Sequence, residues 1–312
     1  MTSIAIDRAG VSSVPQSRLR IMSRWVPFLF LLPVAAELII FRYIPTFSAF
    51  YHSLTNWDGR KKDAFIGFKN FTDLFNDNVF RDAFVNMAKY TSLRTIAVLL
   101  FAFIAAELIF SIRNERVRMF WKIAFVIPLV VPRSVIYLMW AFIYDPQVGL
   151  INEALNLIGL GAWQQPWLGQ SSTALGALAF IGFPFVSSLA FLIFVASLEG
   201  LPRDIIETAQ LEGCSIWKRI WNVDLPMLRG GIVFVAVLLI LEGLQTTEPQ
   251  LILTRGGPGT STELPAYYLY RTAFDYGKFG QACAVGVVML GVGLIFTVIS
   301  MWLRYRSAYD VD

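Results

Sequence analysis

Histidine occurs once in this sequence, at His52, and cysteine twice, at Cys214 and Cys283. Nucleophilic catalysis of the Ser–His or Cys–His kind needs an imidazole beside its nucleophile. The sole histidine stands in a loop next to the first apolar run, so the composition argues against a hydrolytic enzyme. Two distant thiols and one imidazole make no metal site. Charge is scarce as well: Asp, Glu, Lys and Arg make up 15% of the 312 residues, where a soluble domain has about 25%. A phosphate loop is missing too. The glycine cluster Gly256-Gly257-Pro258-Gly259 lacks the Lys-Ser/Thr ending and the strand–helix context of such a loop, so any ATP chemistry must be supplied by another subunit.

What is abundant is oil. Hydrophobic residues reach 56% and aromatics 15%, and a run of roughly 20 apolar residues suffices to cross the hydrocarbon core as a helix. Six such windows stand out, at about 25–45, 91–112, 119–144, 173–197, 231–253 and 282–303. Runs such as ALGALAFIGFPFVSSLAFLIFV are apolar all round, unlike the two-faced helices of soluble proteins. Strands of a membrane barrel would alternate with period two over about ten residues, and these do not. The fold class expected is therefore an all-α polytopic membrane protein with six transmembrane helices. Residues 1–24 form an N-terminal segment, 25–303 the membrane domain and 304–312 a short tail.

Orientation follows from Lys and Arg in short loops. Basic residues concentrate at Arg8, Arg18, Arg20 and Arg24, at Arg113, Arg116, Arg118 and Lys122, and at Arg203, Lys218, Arg219 and Arg229. The 145–172 loop has none, so both termini and the 198–230 loop are expected to be cytoplasmic. The 46–90 segment carries six basic residues, but long loops translocate largely regardless of charge. The N-terminus is expected to stay as a membrane helix, because the apolar run from Trp25 is long enough to span and no small-residue cleavage site follows. The formal net charge of +4 reads as membrane anchoring and gives no argument for nucleic acid. Cys214 then falls in a cytoplasmic loop and Cys283 near the outer end of the last helix, too far apart for a disulfide.

One stretch breaks the apolar pattern: IETAQLEGCSIWKRIWNVDLP, from Ile206 to Pro226 with Lys218 and Arg219 inside it. Its apolar residues recur at helical spacing and Gly213 interrupts it, which fits a short helix lying along the membrane surface. The plainer alternative is a loop-filling interfacial helix; the sharper one is a docking knob for a partner. The order Glu207-Thr208-Ala209, Glu212-Gly213, Trp217, Leu225-Pro226 resembles the EAA loop of ABC importer permeases, EAAxxDGAxxWxxFxxIxLP. It stands about 100 residues from the C-terminus, where that family places it. Departures are Thr208 for alanine, Glu212 for aspartate, Cys214 for alanine and Ile220 for phenylalanine. The stretch 251–289, FIGFKNFTDLF at 65–75, and VIPLVVP with DPQVGLIN resemble carbohydrate-type permeases of the maltose, multiple-sugar and glycerol-3-phosphate importers.

That resemblance implies a type I permease fold in a prokaryotic plasma membrane. It implies a second homologous permease, two ATPase subunits that carry ATP and Mg, an extracytoplasmic solute-binding protein and a carbohydrate-type solute, with no cofactor on this chain. The helix from about Leu201 to Ser215 would be the coupling helix, with Glu207, Thr208, Ala209, Glu212, Gly213, Trp217, Leu225 and Pro226 as coupling residues. The family places solute-lining polar residues before the GGP motif, which here points to Gln245 and Thr246, with Glu242 and Glu248 nearby. These four are equally readable as interhelical glue. Arg133 departs from the family; an ion pair with a glutamate is favoured over an anionic solute, because an unpaired guanidinium in the membrane is costly. A glycerol-3-phosphate or polyol importer, or an ATP-independent secondary transporter, stand as alternatives. The latter predicts internal repeats, and none is found. The glycines at 286, 291 and 293 and the small residues at 176, 177 and 182 are expected to allow close helix packing. Pro132 and Pro184 are expected to kink their helices, and Trp163 and Trp167 to act as interfacial anchors.

Overall fold

The computed structural model describes residues 16–60 and 63–309, and it is helical throughout but for one isolated bridge between Thr55 and Phe65. The described chain divides into two compact units after Tyr51. In the first, α1 (Gln16–Leu38) passes through a widened π-type turn at Ile39–Tyr43 into α2 (Ile44–His52). Together they supply a span over Phe28–His52.

The second unit is built around one long helix. The short amphipathic α3 (Lys69–Asn76) leads into α4 (Asn78–Phe110), whose first turn is capped by the Asp77 side chain accepting from the Val79 amide at 2.7 Å. The expected window began at residue 91; α4 starts 13 residues earlier because this cap satisfies amides that would otherwise be orphaned. The cap also fixes a helix far along the chain, Pro265–Tyr270, since the Tyr268 hydroxyl donates to Asp77 Oδ2 at 2.7 Å.

Three of the six expected windows are interrupted. The third breaks into α5 (Glu115–Val126) and α6 (Arg133–Ile143), bent by 91° across Pro128 and Pro132. Beyond it come α7 (Leu150–Leu157) and then the fourth window, which splits into α8 (Ala174–Phe180) and α9 (Ser188–Glu199). Gly182 and Phe185 both take positive φ in that break, so the kink expected at Pro184 is a full interruption. Next follow α10 (Arg203–Leu211), α11 (Ile216–Arg219), a π-type turn at Ile220–Asp224, and α12 (Leu225–Met227). The fifth window is α13 (Arg229–Gln245), interrupted at residues 246–247 before a π-type turn at Gln250–Thr254. The short α14 (Pro265–Tyr270) and the long α15 (Phe279–Tyr309) complete the chain.

The core explains why α4 is central. Its small residues Ala102, Ala105 and Ala106 are buried against Phe191, Phe194 and Leu198 of α9 and Val235 of α13. Small side chains let membrane helices approach closely enough for dispersion to hold them where no hydrophobic drive exists. The closest approach is at Gly243 of α13, where a Cβ would overlap the Thr91 hydroxyl of α4 and lie 2.8 Å from its Cγ2. The expected close-packing sites at Gly286, Gly291 and Gly293 turn out to be ordinary: an added Cβ would sit at van der Waals distance from leucines at the first and last, and meet nothing at Gly291.

A substitution at 243 tests that contact. Gly243→Ala is expected to destabilise the helix bundle by on the order of 1–3 kcal/mol through overpacking, lowering the thermal midpoint in detergent. Adding Thr91→Ala is expected to restore part of the loss; an unchanged midpoint in the single variant would count against the contact.

Candidate functional site

Three spans are interrupted inside the apolar zone, and two of the interruptions border one cleft. Pro128, Leu129 and Val131 from the α5–α6 bend, Ile181, Gly182 and Phe185 from the α8–α9 break, and Glu242 of α13 line a cavity of about 270 Å³. Backbone at membrane depth is tolerated only where something other than lipid satisfies it. Here the Arg94 guanidinium donates to the Ile181 carbonyl at 2.9 Å, and the Ser188 hydroxyl donates to the Phe125 carbonyl at 2.8 Å. Ile181 follows the end of α8, where a cation also suits the helix dipole.

Arg133 and Glu242 meet across this cleft, Nη1 to Oε1 at 2.8 Å. Their side chains remain 61% and 40% exposed, so the pair lines open space rather than a sealed core. Of the other expected pathway residues, Thr246 turns its hydroxyl back to the Glu242 carbonyl at 2.9 Å. Gln245 and Glu248 are exposed at the unwound end of α13 and do not line the cleft. Arg94 was legible but passed over: a lone arginine in an apolar window, reaching the cleft's edge from the middle of α4 and lying 5.7 Å from the Tyr90 ring.

The polar stretch forms α10, two residues shorter at its start and four at its end than the expected Leu201–Ser215, because Pro202 precedes it and Gly213 ends it. Gly213 has φ of +70° with open space around an added Cβ, and the Cys214 amide donates to the Ala209 carbonyl at 2.9 Å. That is a left-handed helix cap, for which glycine is the default residue, so backbone conformation as well as access fixes this position. Glu207, Thr208 and Glu212 are exposed, but the Thr208 hydroxyl is spent on the Asp204 carbonyl at 2.7 Å. Ala209 turns inward and is buried. Trp217 is 73% exposed, Leu225 is half-buried, and Pro226 is exposed in the first turn of α12.

Residues 98–308, which include this cleft and α10, match the family described as binding-protein-dependent transport system inner membrane component. The chain belongs to this family. It is 33% identical over 280 residues to the probable ABC transporter permease protein YurN of Bacillus subtilis, covering 88% of this chain and 94% of that one. The diacetylchitobiose uptake system permease protein NgcF of Streptomyces coelicolor is 30% identical, over 85% of this chain and 78% of its own. Among solved structures, a bacterial ABC transporter involved in the import of the acidic polysaccharide alginate superposes with a TM-score of 0.80 at 19% identity, covering 93% of this chain and 99% of that chain. The architecture is thus that of an ABC importer permease, a multi-pass membrane subunit and not an enzyme.

In this permease two buried charge clusters lie outside the residues expected from sequence. Arg219 reaches both Asp224, Nε to Oδ2 at 2.8 Å, and Glu107 at the end of α4, Nη2 to Oε2 at 3.3 Å. The three tie the chain after α10 to α4. The second cluster is inside the GGPGTSTE loop. Glu263 is fully buried with Arg271 at 3.2 Å, and an added Cβ at Gly256, itself at φ +82°, would overlap its carboxylate. The glycine-rich loop therefore closes on the chain's own carboxylate. The Asn86 amide holds it down, donating to the Thr260 and Glu263 carbonyls at 3.1 and 3.2 Å. Burial pushes the Glu263 carboxyl up to about 7, with the Arg271 guanidinium opposing and Asp77 adding to the rise.

Trp167, an expected interfacial anchor, donates its indole N–H to Asn152 Oδ1 at 2.8 Å within the 145–172 loop, whereas Trp163 is exposed.

Two outcomes are expected. In a double-mutant cycle, Arg133→Ala and Glu242→Ala should show a coupling of about 1 kcal/mol, modest because both groups are partly exposed. The swap of Arg133→Glu with Glu242→Arg should recover part of the stability; additivity would dissolve the pair. For Glu263, a carboxyl raised in the folded state stabilises fully below its ordinary value of 4.5, and that contribution is lost as pH climbs to about 7. Thermal midpoints of the wild type should therefore fall across that window, while Glu263→Gln flattens the profile.

Proposed function

We propose that this permease forms the translocation pathway for a sugar or sugar-like solute in an ATP-driven importer, together with a second permease, two ATPase subunits and an extracytoplasmic binding protein. The observation that carries the coupling half is α10: an exposed polar helix with a glycine cap in an apolar chain, bearing the motif positions Glu207, Glu212 and Gly213. ATP and Mg would belong to the ATPases, and α10 would be the element that they move. The carbohydrate half is supported by the relatives. One is named for diacetylchitobiose uptake, and a 26% identical protein of Thermoanaerobacterium thermosulfurigenes for the transport of starch degradation products.

In this reading the termini and α10 face the cytoplasm, and the 145–172 and 256–263 loops face the binding protein. The cleft at Arg133 and Glu242, with Gln245 and Thr246 at the unwound end of α13, supplies hydrogen-bonding groups at membrane depth, where discontinuous helices commonly hold transported solutes.

Solute-stimulated ATP hydrolysis by the whole reconstituted complex with its binding protein, over neutral oligosaccharides, polyols and glycerol phosphates, tests the substrate class. Stimulation is expected from saccharides, and a response to none of them would remove the sugar assignment. Glu207→Arg is expected to reduce stimulated hydrolysis at least tenfold with unchanged membrane content of the chain. Full activity in that variant would remove α10 as the coupling element.

A further inference from the structure

Two cavities on the α10 side of the permease adjoin each other. The first is a groove of about 950 Å³ between α4 and residues 216–225, walled by Leu100, Phe103, Ile104, Trp217, Trp221 and Ile232 and almost wholly apolar, with Glu107, already committed to Arg219, as its one charged lining residue. The second is a cleft of about 600 Å³ under α10, bordered by Arg113, Arg118 and Arg219 with no acidic residue on its wall. Ser111 and Ile216 border both, so the apolar groove and the basic cleft are neighbours along that edge. We propose that this composite site binds an anionic phospholipid of the cytoplasmic leaflet, acyl chain in the groove and phosphate in the cleft.

Dimensions favour a lipid chain. The groove follows α4 from Ile96 to Ser111, about 22 Å at 1.5 Å per residue, enough to cover the roughly 15 Å hydrocarbon depth of one leaflet. Trp217 and Trp221 are 73% and 64% exposed at its wide end, the position indoles favour at a membrane–water boundary. Charge favours an anionic head. Arg219 is committed to Asp224 and Glu107, and Arg118 meets Glu115 at 3.2 Å. Arg113, in the short loop between α4 and α5, has no ion-pair partner among the described residues. One uncompensated guanidinium at the mouth of an apolar groove matches one phosphate diester on two acyl chains, and basic pockets between membrane helices are a recurrent form of lipid headgroup site. A partner helix would fill the apolar groove equally well, yet it would leave Arg113 without a counter-charge.

The site does not depend on the solute. It lies beneath α10 and against the Arg219 cluster, so a bound lipid would brace the element proposed to receive the ATPase.

The full-length chain, in its assembled transporter, would be reconstituted in vesicles containing a trace of phosphatidylglycerol with a photoactivatable acyl chain, and in parallel the phosphatidylcholine analogue. Adducts are mapped by peptide mass spectrometry. Phosphatidylglycerol adducts are expected within 96–111 and 216–225, in excess of phosphatidylcholine. Arg113→Gln should lower them about fivefold, equivalent to the ~1 kcal/mol contributed by one basic residue near a membrane surface. Arg116→Gln, exposed and outside the cleft, should change nothing, and Ile104→Trp should reduce labelling by both lipids. Equal labelling by the two lipids that is indifferent to Arg113 would overturn the proposal. So would finding these peptides crosslinked to a second membrane subunit in place of lipid.

Discussion

Backbone hydrogen bonding in the absence of water is the constraint on which this permease depends. A chain may leave the helix inside hydrocarbon only if its freed amides and carbonyls find partners in protein. Three spans break here, at 127–132, 181–187 and 246–247, and α4 does not. Its 33 residues form the straight surface on which the broken spans lean. Arg94 from that surface takes the Ile181 carbonyl at one break. Thr91 receives Gly243, a few residues before another. The alanines at 102, 105 and 106 let α9 settle close enough to bury Phe191 and Phe194. A helix with this duty cannot itself be interrupted, and its polar first turns are completed by the Asp77 cap instead.

Much of this was legible in the sequence, and the failures have a common cause. Hydropathy identifies which residues prefer lipid, so all six apolar windows correspond to helical segments. It carries no information on φ, so the fourth window read as one helix although Gly182 and Phe185 reverse the chain within it. Pro132 and Pro184 marked the right places but not the size of the effect. Small-residue stripes were a poorer guide: Gly286, Gly291 and Gly293 repeat along α15 yet meet no close neighbour, while the isolated Gly243 makes the tightest contact. Spacing along one helix says nothing about which face a second helix will take.

The charges divide in the same manner. Arg133 was singled out because a guanidinium in lipid needs a counter-charge, and Glu242 supplies it at 2.8 Å. Arg94 obeys the opposite logic, bonding a carbonyl in place of a carboxylate, and a search for paired charges overlooks it. Asp224 and Glu263 could not be found by periodicity at all, since neither is buried by the face of a regular helix: Asp224 is buried by its approach to α4, Glu263 by its own loop folding over it. The EAA-like pattern located α10 correctly, but it could not tell that Ala209 faces inward while Glu207 faces out.

These placements define how a displacement of α10 would reach the cleft under the proposed coupling. The chain from Gly213 to α13 is a succession of short helical pieces, and a free linker of that kind would absorb motion. Arg219 prevents this by fastening the segment to Asp224 within it and to Glu107 on α4, all three largely shielded from solvent. Removing either carboxylate would strand charge in a poorly solvated site, so the fastening has one strongly favoured geometry. Beyond it, α13 runs without a break from Arg229 to Gln245 and carries Glu242 to the Arg133 side of the α5–α6 bend. A shift of the cytoplasmic end of α13 therefore cannot leave the ion pair unchanged: either Arg133 follows and the 91° bend alters, or the pair separates and exposes two charged groups to whatever occupies the cleft. Both routes couple movement of α10 to the chemistry of the cavity through rigid helix and paired charge, with the unbroken α4, tied to the segment at Glu107, carried along with it.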